Sequence, residues 1–237
     1  MIKFSIILPC YNEYENLDEV FKIYKGVLNP NETELIVVNN GSTDKTAEFL
    51  KENANNYSFI EVVEINENKG YGYGIMQGIQ KAKGNWVGWT HADLQTDPKD
   101  IAKAIETCRK RSDDDSFFVK GYRIGRTPFA NFFIRGMEFC VKLILHKDLK
   151  EINAQPNLFN RKLLNVAIDY PHHWGLDLFF YYLAKKESYK FERISVLFHE
   201  RKFGKSKWNK GVFSRIRFSL KMLNYCFEIK KNENNKS

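Results

Sequence analysis

Residues 86–98 read Trp-Val-Gly-Trp-Thr-His-Ala-Asp-Leu-Gln-Thr-Asp-Pro, an apolar stretch of strand length followed at once by His91, Asp93, Gln95 and Asp97. Imidazole, carboxylate and amide oxygen recur two residues apart, and alternate side chains of an extended segment point the same way. That set suits a divalent cation, Mn2+ or Mg2+. An acid just past the end of a buried strand also stands where α/β sheets present their ligands. Asp97 has a second reading, as the cap of a helix opened by Pro98. His91 likewise reads either as a ligand or as a hydrogen-bonded loop histidine.

The elements that would position these groups follow from periodicity. Phe4–Leu8 is a short continuous apolar run ending at Pro9, the pattern of a buried parallel strand. Leu17, Val20, Phe21, Tyr24 and Leu28 then recur at helical spacing until Asn29-Pro30-Asn31 interrupts them. Leu35–Val38 is a second strand, and its exit loop Asn39–Asp44 offers Ser42 or Thr43 as N-cap of a helix through Ala47 and Leu50. Phe59–Ile65 is a third strand, followed by a Gly-rich turn over Asn66–Gly74 and a helix carrying Ile75, Ile79 and Ala82. Trp86–Thr90 is the fourth, with Ile101, Ala104, Ile105 and Cys108 marking the helix after it. This alternation predicts a doubly wound, mostly parallel sheet flanked by helices. Every unusual polar loop follows a strand, so all of them gather along one sheet edge.

The second half is less regular. Phe117–Lys120 reads as a strand, and Arg123–Arg135 as a basic, aromatic stretch broken by Gly125 and Pro128. Met137–Leu145 is expected to be helical, Asn157–Asn160 a short strand, Leu176–Ala184 a helix and Ile194–Phe198 a last strand. From Val212 the apolar Phe213, Ile216, Leu220, Leu223 and Phe227 step by three and four beside Arg215, Arg217 and Lys221. The expected organisation is one α/β domain over 1–211, an amphipathic basic helix over 212–231 and a polar tail over 232–237. The helix could lie in a membrane interface or lay its stripe on the domain.

With 237 residues and 43% hydrophobic content the chain can bury a full core, which excludes wholesale disorder. Its net charge of +8 suits an anionic partner, and no nucleic-acid-binding motif accompanies it. The four cysteines, Cys10, Cys108, Cys140 and Cys226, form no Cys-x-x-Cys pair and read as reduced thiols. Neither a signal peptide nor a run of about 18 apolar residues is recognisable. The expected location is the cytoplasm, or the cytoplasmic face of a membrane as a peripheral protein.

Taken together, Leu8-Pro9-Cys10-Tyr11-Asn12-Glu13, Val38–Asp44, Asn68-Lys69-Gly70, His91–Pro98 and Arg201-x-x-Gly204-x-Ser206-Lys207 give the chain its resemblance. It resembles the family-2 glycosyltransferases of GT-A fold, and within them the dolichol- or polyprenyl-phosphate sugar transferase branch. The resemblance implies an inverting, metal-dependent transfer of a hexose from a UDP- or GDP-sugar to a polyprenyl phosphate. It implies that Pro9, Tyr11 and Glu13 line the base and ribose, with Asn40, Ser42, Lys69, Ala92, Asp93 and Ser206 completing the donor site. Asp93 matches the second acid of the family's Asp-x-Asp metal motif and Gln95 a further metal contact. Arg201, Ser206 and Lys207 match a loop that closes over phosphates. His91 stands where the first Asp is usual, and Asn39-Asn40 where Asp-Asp is common.

Acceptor chemistry is the remaining question. A sugar hydroxyl is a weak nucleophile and needs a base, and Asp177 is the candidate. As an acid in a helix first turn it also reads as favoured by the helix dipole. A lipid phosphate is already anionic and needs neutralising and aiming, for which Arg123, Arg126, Arg135, Arg201, Lys205 and Lys207 are available. The alternatives are a glycan-extending transferase and a nucleotide-sugar-binding module without catalysis, the latter motivated by His91 and Asn40.

Overall fold

The computed structural model describes residues 1–111, 115–199 and 212–234; the side chains of 128–130, 212, 213 and 215 are outside the description. The strands are β1 (Phe4–Cys10), β2 (Thr33–Asn40), β3 (Ile60–Ile65), β4 (Trp86–Trp89), β5 (Phe117–Ile124), β6 (Asn157–Asn160) and β7 (Lys190–Leu197). The helices are α1 (Tyr14–Val27), α2 (Thr46–Asn53), α3 (Tyr71–Lys81), α4 (Lys99–Arg109), α5 (Pro128–Leu145), α6 (Leu176–Lys186) and α7 (Val212–Asn234).

One sheet runs in the order β3-β2-β1-β4-β6-β5-β7. β1 pairs in parallel with β2 and β4, and β2 with β3. β6 lies antiparallel between β4 and β5, and β5 pairs in parallel with β7. The chain order reverses beside β1, so the exits of β1 and β4 flank a crevice at the ligand-bearing edge. Because β6 runs the other way, its first residues arrive at that same edge.

Strand alternation sorts the core. Ile6, Leu8, Leu35 and Val37 meet Phe21 and Tyr24 of α1 and Ile101 and Ala104 of α4 on one face. Ile7, Ile36, Val38 and Trp89 meet Ile75 and Ile79 of α3 and Phe180 of α6 on the other. A third layer joins Val141 and Leu145 of α5, Tyr181 of α6, and Met222 and Cys226 of α7. The basic C-terminal helix packs on the domain, but through Met222, Tyr225, Cys226 and Ile229 rather than the stripe read from the sequence, of which Ile216, Leu220 and Phe227 are exposed. Among the described residues no helix is long and apolar enough to cross a membrane.

Several local expectations change. The helix expected from Met137 begins at Pro128, because a proline that breaks a helix interior is well suited to its first turn. The Gly-rich turn ends earlier than Gly74: Gly70 turns the chain at φ 109° and α3 starts at Tyr71. A Cβ at Gly70 would lie 2.4 Å from the His172 carbonyl oxygen, so the 171–173 segment can close on this turn. Thirdly, Ser42 and Thr43 do not cap α2. The Asp44 carboxylate accepts from Thr46 N (2.9 Å), while Ser42 and Thr43 reach across to Asn12. The last helix also runs on to Asn234, past the expected end at 231.

Candidate active site

At the switch-point edge, the β1 exit is tied to the β2 exit by short neutral side chains. Asn12 N–H donates to Ser42 Oγ (3.0 Å), Thr43 N–H donates to Asn12 Oδ1 (2.8 Å), and Glu13 N–H donates to Thr46 Oγ1 (3.0 Å). Pro9, Tyr11, Glu13 and Ser42 thus share one rim. Asn39 donates from Nδ2 to Glu64 (2.7 Å) and accepts from Ser42 N (3.2 Å). Asn40 donates from Nδ2 to the Gly70 carbonyl (2.9 Å), while its buried Oδ1 has no partner. A carboxylate at either position could not donate, and at 39 it would face Glu64. The two asparagines that depart from the Asp-Asp pattern are therefore fitted to this chain. Lys69 extends its Nζ over the Tyr73 ring at 5.5 Å from the centroid.

Past Trp89 the chain turns through Thr90–Pro98. Asp93 is 4% exposed and its Oδ1 accepts the Gln95 N–H (3.1 Å); Ala92 beside it is also buried. Gln95 is paired with the β7 exit: its Nε2 donates to His199 O (3.2 Å) and its carbonyl accepts from His199 N (2.8 Å). Thr96 bridges Phe198 in antiparallel fashion, and the His91 ring centroid is 6.5 Å from that of Phe198. Asp97 accepts from Lys99 N (2.9 Å) at the head of α4, the capping role its position offered. Arg201, Lys205, Ser206 and Lys207 lie outside the described residues, just beyond the segment zipped to this loop.

Among the described residues no group of three or more His, Cys, Asp or Glu side chains could hold a metal. Residues 91–95 contribute one carboxylate, Asp93, beside the His91 imidazole and the Gln95 amide. Such a donor set is too small for an all-protein cage and fits an ion shared with phosphate oxygens.

Across the crevice stands a buried polar cluster. Asp177, 4% exposed in the first turn of α6, accepts on Oδ1 from Trp89 Nε1 (2.9 Å), Gln155 Nε2 (2.8 Å) and Asn157 Nδ2 (2.7 Å). Lys120 of β5 is 0% exposed and donates to Ala154 O (3.0 Å) and Asn157 Oδ1 (2.7 Å). Glycines make the approach of residues 155–157 feasible: a Cβ at Gly121 would lie 2.0 Å from Gln155 O, and one at Gly88 2.1 Å from Asn157 O. Burial, with Arg193 and Arg123 adding to it, pushes the Lys120 amine down to about 7, against the opposing pull of Asp177 and Glu151.

Beside the cluster opens a cleft of about 630 Å³ whose charged lining is Arg123, Arg126, Arg135, Lys142 and Lys150 beside Glu138, Asp148 and Glu151. Arg123 donates to Asn153 O (2.6 Å), lies 4.1 Å from the Phe198 ring centroid, and keeps a buried Nε without a partner. Burial and the neighbouring Arg126 push its guanidinium down to about 10. Arg126 donates to Glu151 (2.5 Å). The motif reading missed Lys120, Gln155, Asn157 and Glu151. A signal was present for one of them: Lys120 is a charge directly after the apolar run Phe117–Val119 and next to a glycine.

A mostly parallel sheet with a crevice at its switch point, an acid beyond β4 and a charged cleft beyond β5 is an architecture of GT-A type. Residues 5–181 match the family model described as "Glycosyl transferase family 2", and the chain belongs to that family. It is 28% identical to a dolichol-phosphate mannosyltransferase of Pyrococcus furiosus over 96% of this chain and 66% of the relative. It is 26% identical to an undecaprenyl-phosphate 4-deoxy-4-formamido-L-arabinose transferase of Pectobacterium carotovorum, over 95% and 65% respectively. The chain thus spans about two thirds of the length of these curated relatives. A mannosyltransferase from Pyrobaculum calidifontis, solved in complex with GDP-Man and Mn2+, shares the fold with a TM-score of 0.64 and 20% identity, over 85% of this chain and 58% of that one.

Proposed function

We propose that this protein transfers a hexose from a UDP- or GDP-sugar to a polyprenyl phosphate, with inversion. The observation that carries the choice of acceptor is the Asp177 carboxylate, whose Oδ1 takes three N–H donors. A carboxylate so engaged is 4% exposed and held in the interior by Trp89, Gln155 and Asn157, so it does not stand open to an incoming hydroxyl. A sugar hydroxyl needs a base, whereas a phosphate monoester arrives as an anion. The cationic cleft supports the same reading, with the unpartnered Arg123 Nε available to a phosphate oxygen.

On the donor side, the orphaned Asn40 Oδ1 is suited to accept an N–H from the base, and Asn12, Ser42 and Thr43 hold the rim against which Tyr11 and Glu13 would bind it. Asp93, with His91 and Gln95, would hold a Mn2+ or Mg2+ ion together with the diphosphate. When bound, that ion supplies neutralisation of the leaving nucleoside diphosphate. Arg201, Ser206 and Lys207 follow the His199 segment and would close over the phosphates.

The relatives named for dolichol- and undecaprenyl-phosphate support a lipid acceptor. So does the outer surface of the third layer. Phe132, Phe139 and Leu143 of α5 and Leu220 and Phe227 of α7 are exposed beside the exposed Arg135, Lys142, Arg217 and Lys221. Apolar side chains edged by cations suit an anionic membrane surface. Peripheral contact with the cytoplasmic leaflet would bring a lipid phosphate to the cleft, which Phe139 also lines.

The test is transfer from UDP- and GDP-hexoses, with Mn2+ or Mg2+, to a short-chain polyprenyl phosphate and to neutral glycosides. Product on the phosphate acceptor alone is expected. Product on hydroxyl acceptors alone, abolished by Asp177→Asn, would overturn the reading.

A further inference from the structure

Lys120 has no counter-charge in direct hydrogen-bonded contact, yet it is not isolated. Its Nζ donates to Asn157 Oδ1 at 2.7 Å, and Asn157 Nδ2 donates to Asp177 Oδ1 at 2.7 Å. One amide thus joins a buried ammonium to a buried carboxylate, its oxygen facing the cation and its nitrogen the anion. A primary amide offers both a donor and an acceptor on one planar group, as this bridge requires. Asp177 in turn accepts from the Trp89 indole at the last residue of β4, directly before the Asp93 loop. Tyr71, the first residue of α3 directly after Asn68-Lys69-Gly70, hydrogen-bonds to Asp177 and accepts from Gln155 Nε2 (3.0 Å). The carboxylate is therefore tied to the flanks of both donor-side loops, while its charge is balanced through Asn157 by a residue on β5.

We infer that Lys120 is a positioning residue for the proposed transfer: through the Asn157 amide it holds Asp177, and with it Tyr71 and Trp89, in the arrangement that shapes the donor crevice. The inference rests on the transferase reading only for its activity readout. Removing a cation paired with a buried anion leaves that anion uncompensated, and the network must reorganise. The same reorganisation follows from deprotonating Lys120.

The groups facing this amine are Asp177 and Tyr181 from α6, Arg193 from β7, Arg123 from β5 and Glu151 from the segment before β6. Tyr71 stays a phenol, since burial and Asp177 both raise it well above its ordinary value. Burial outweighs the acids around Lys120, so the amine releases its proton near pH 7. Between that pH and the ordinary lysine range the folded protein binds fewer protons than the unfolded chain, so stability rises with pH across this window. Donor-site order falls across the same window, because the Lys120 charge that faces Asp177 through the Asn157 amide is lost. A phosphate acceptor titrates with the opposite sign, gaining charge as pH rises.

The experiment compares wild type with Lys120→Met, a neutral side chain of similar length, from pH 6 to pH 9. It follows Tm, affinity for UDP and GDP, and kcat and KM for transfer. For wild type, Tm should rise while nucleotide affinity and kcat fall several-fold as pH passes 7. For the variant, the Lys120-dependent rise in Tm should vanish, and kcat should stay near the wild type's high-pH level throughout. Identical pH profiles for the two proteins, or activity that simply tracks the folded fraction, would overturn the inference. Should Lys120→Met fail to fold, the wild-type profiles decide alone: opposing trends in Tm and nucleotide affinity support it, and flat ones sink it. If no nucleotide binds at any pH, the transferase reading fails, while the Tm comparison still judges the ion pair.

Discussion

Around Asn12 and Asn40 the donor-side loops are joined by neutral amides and hydroxyls, whereas across the crevice the elements around Lys120, Arg123 and Asp177 are joined by buried charges. A neutral hydrogen bond contributes about 1 kcal/mol net, and losing one is tolerable. A buried ion pair gives little net stabilisation when intact, but breaking it from one side costs about 3–5 kcal/mol. The donor half should therefore report mutations in activity, and the other half in activity and stability together. Two sides of one site can share a sheet edge and still differ in how tightly function is coupled to folding.

The sharpest way to break this contrast is Asp93→Ala. Transfer should fall by about 100-fold or more, as for other groups that stabilise developing charge. Tm should fall by less than on removing a charge from the Lys120–Asp177 network, since Asp93 sits in the loop after β4 and accepts from its neighbour Gln95 N. Kinetics beside a thermal melt would decide, and a Tm loss on the scale of a core ion would erase the difference between the halves.

Arg123→Ala is expected to rank second. KM for a phosphate acceptor should rise by about 10- to 100-fold, the range of a charge-assisted hydrogen bond, with nucleotide affinity held. Because the guanidinium also anchors Asn153 and covers Phe198, Tm should fall as well. An unchanged acceptor KM would take Arg123 out of the acceptor site.

The smallest effect is expected at the outer surface. Phe139→Ser combined with Leu220→Ser should reduce co-sedimentation with anionic vesicles several-fold. The two residues are 61% and 56% exposed, and stability should stay within about 0.5 kcal/mol. Undiminished vesicle binding would separate the α5–α7 surface from any lipid acceptor.

Much of the fold could be read from single segments. Periodicity placed each of the first four strands to within a few residues, because period-two and helical patterns are local. Harder to read was Arg123–Arg135, where Pro128 suggested a break. A proline is compatible with a helix start as well as a helix end, and packing against α7 favours the helix here. Ser42 illustrates the same limit at the scale of a loop. Its type suits a cap, but its partner, Asn12, comes from 30 positions away.

What the order of residues alone determined was the α/β alternation, the edge on which the polar loops gather, the place of Asp93 at the exit of β4, and the family to which the chain belongs. Each depends on neighbours along the chain. Tertiary structure decided the state of the charges: that Asp177 is held by Trp89, 88 positions away, and that Lys120 sits in the interior bonded through Asn157. Burial and partner choice depend on which segments the closed sheet brings together, and no local pattern encodes that.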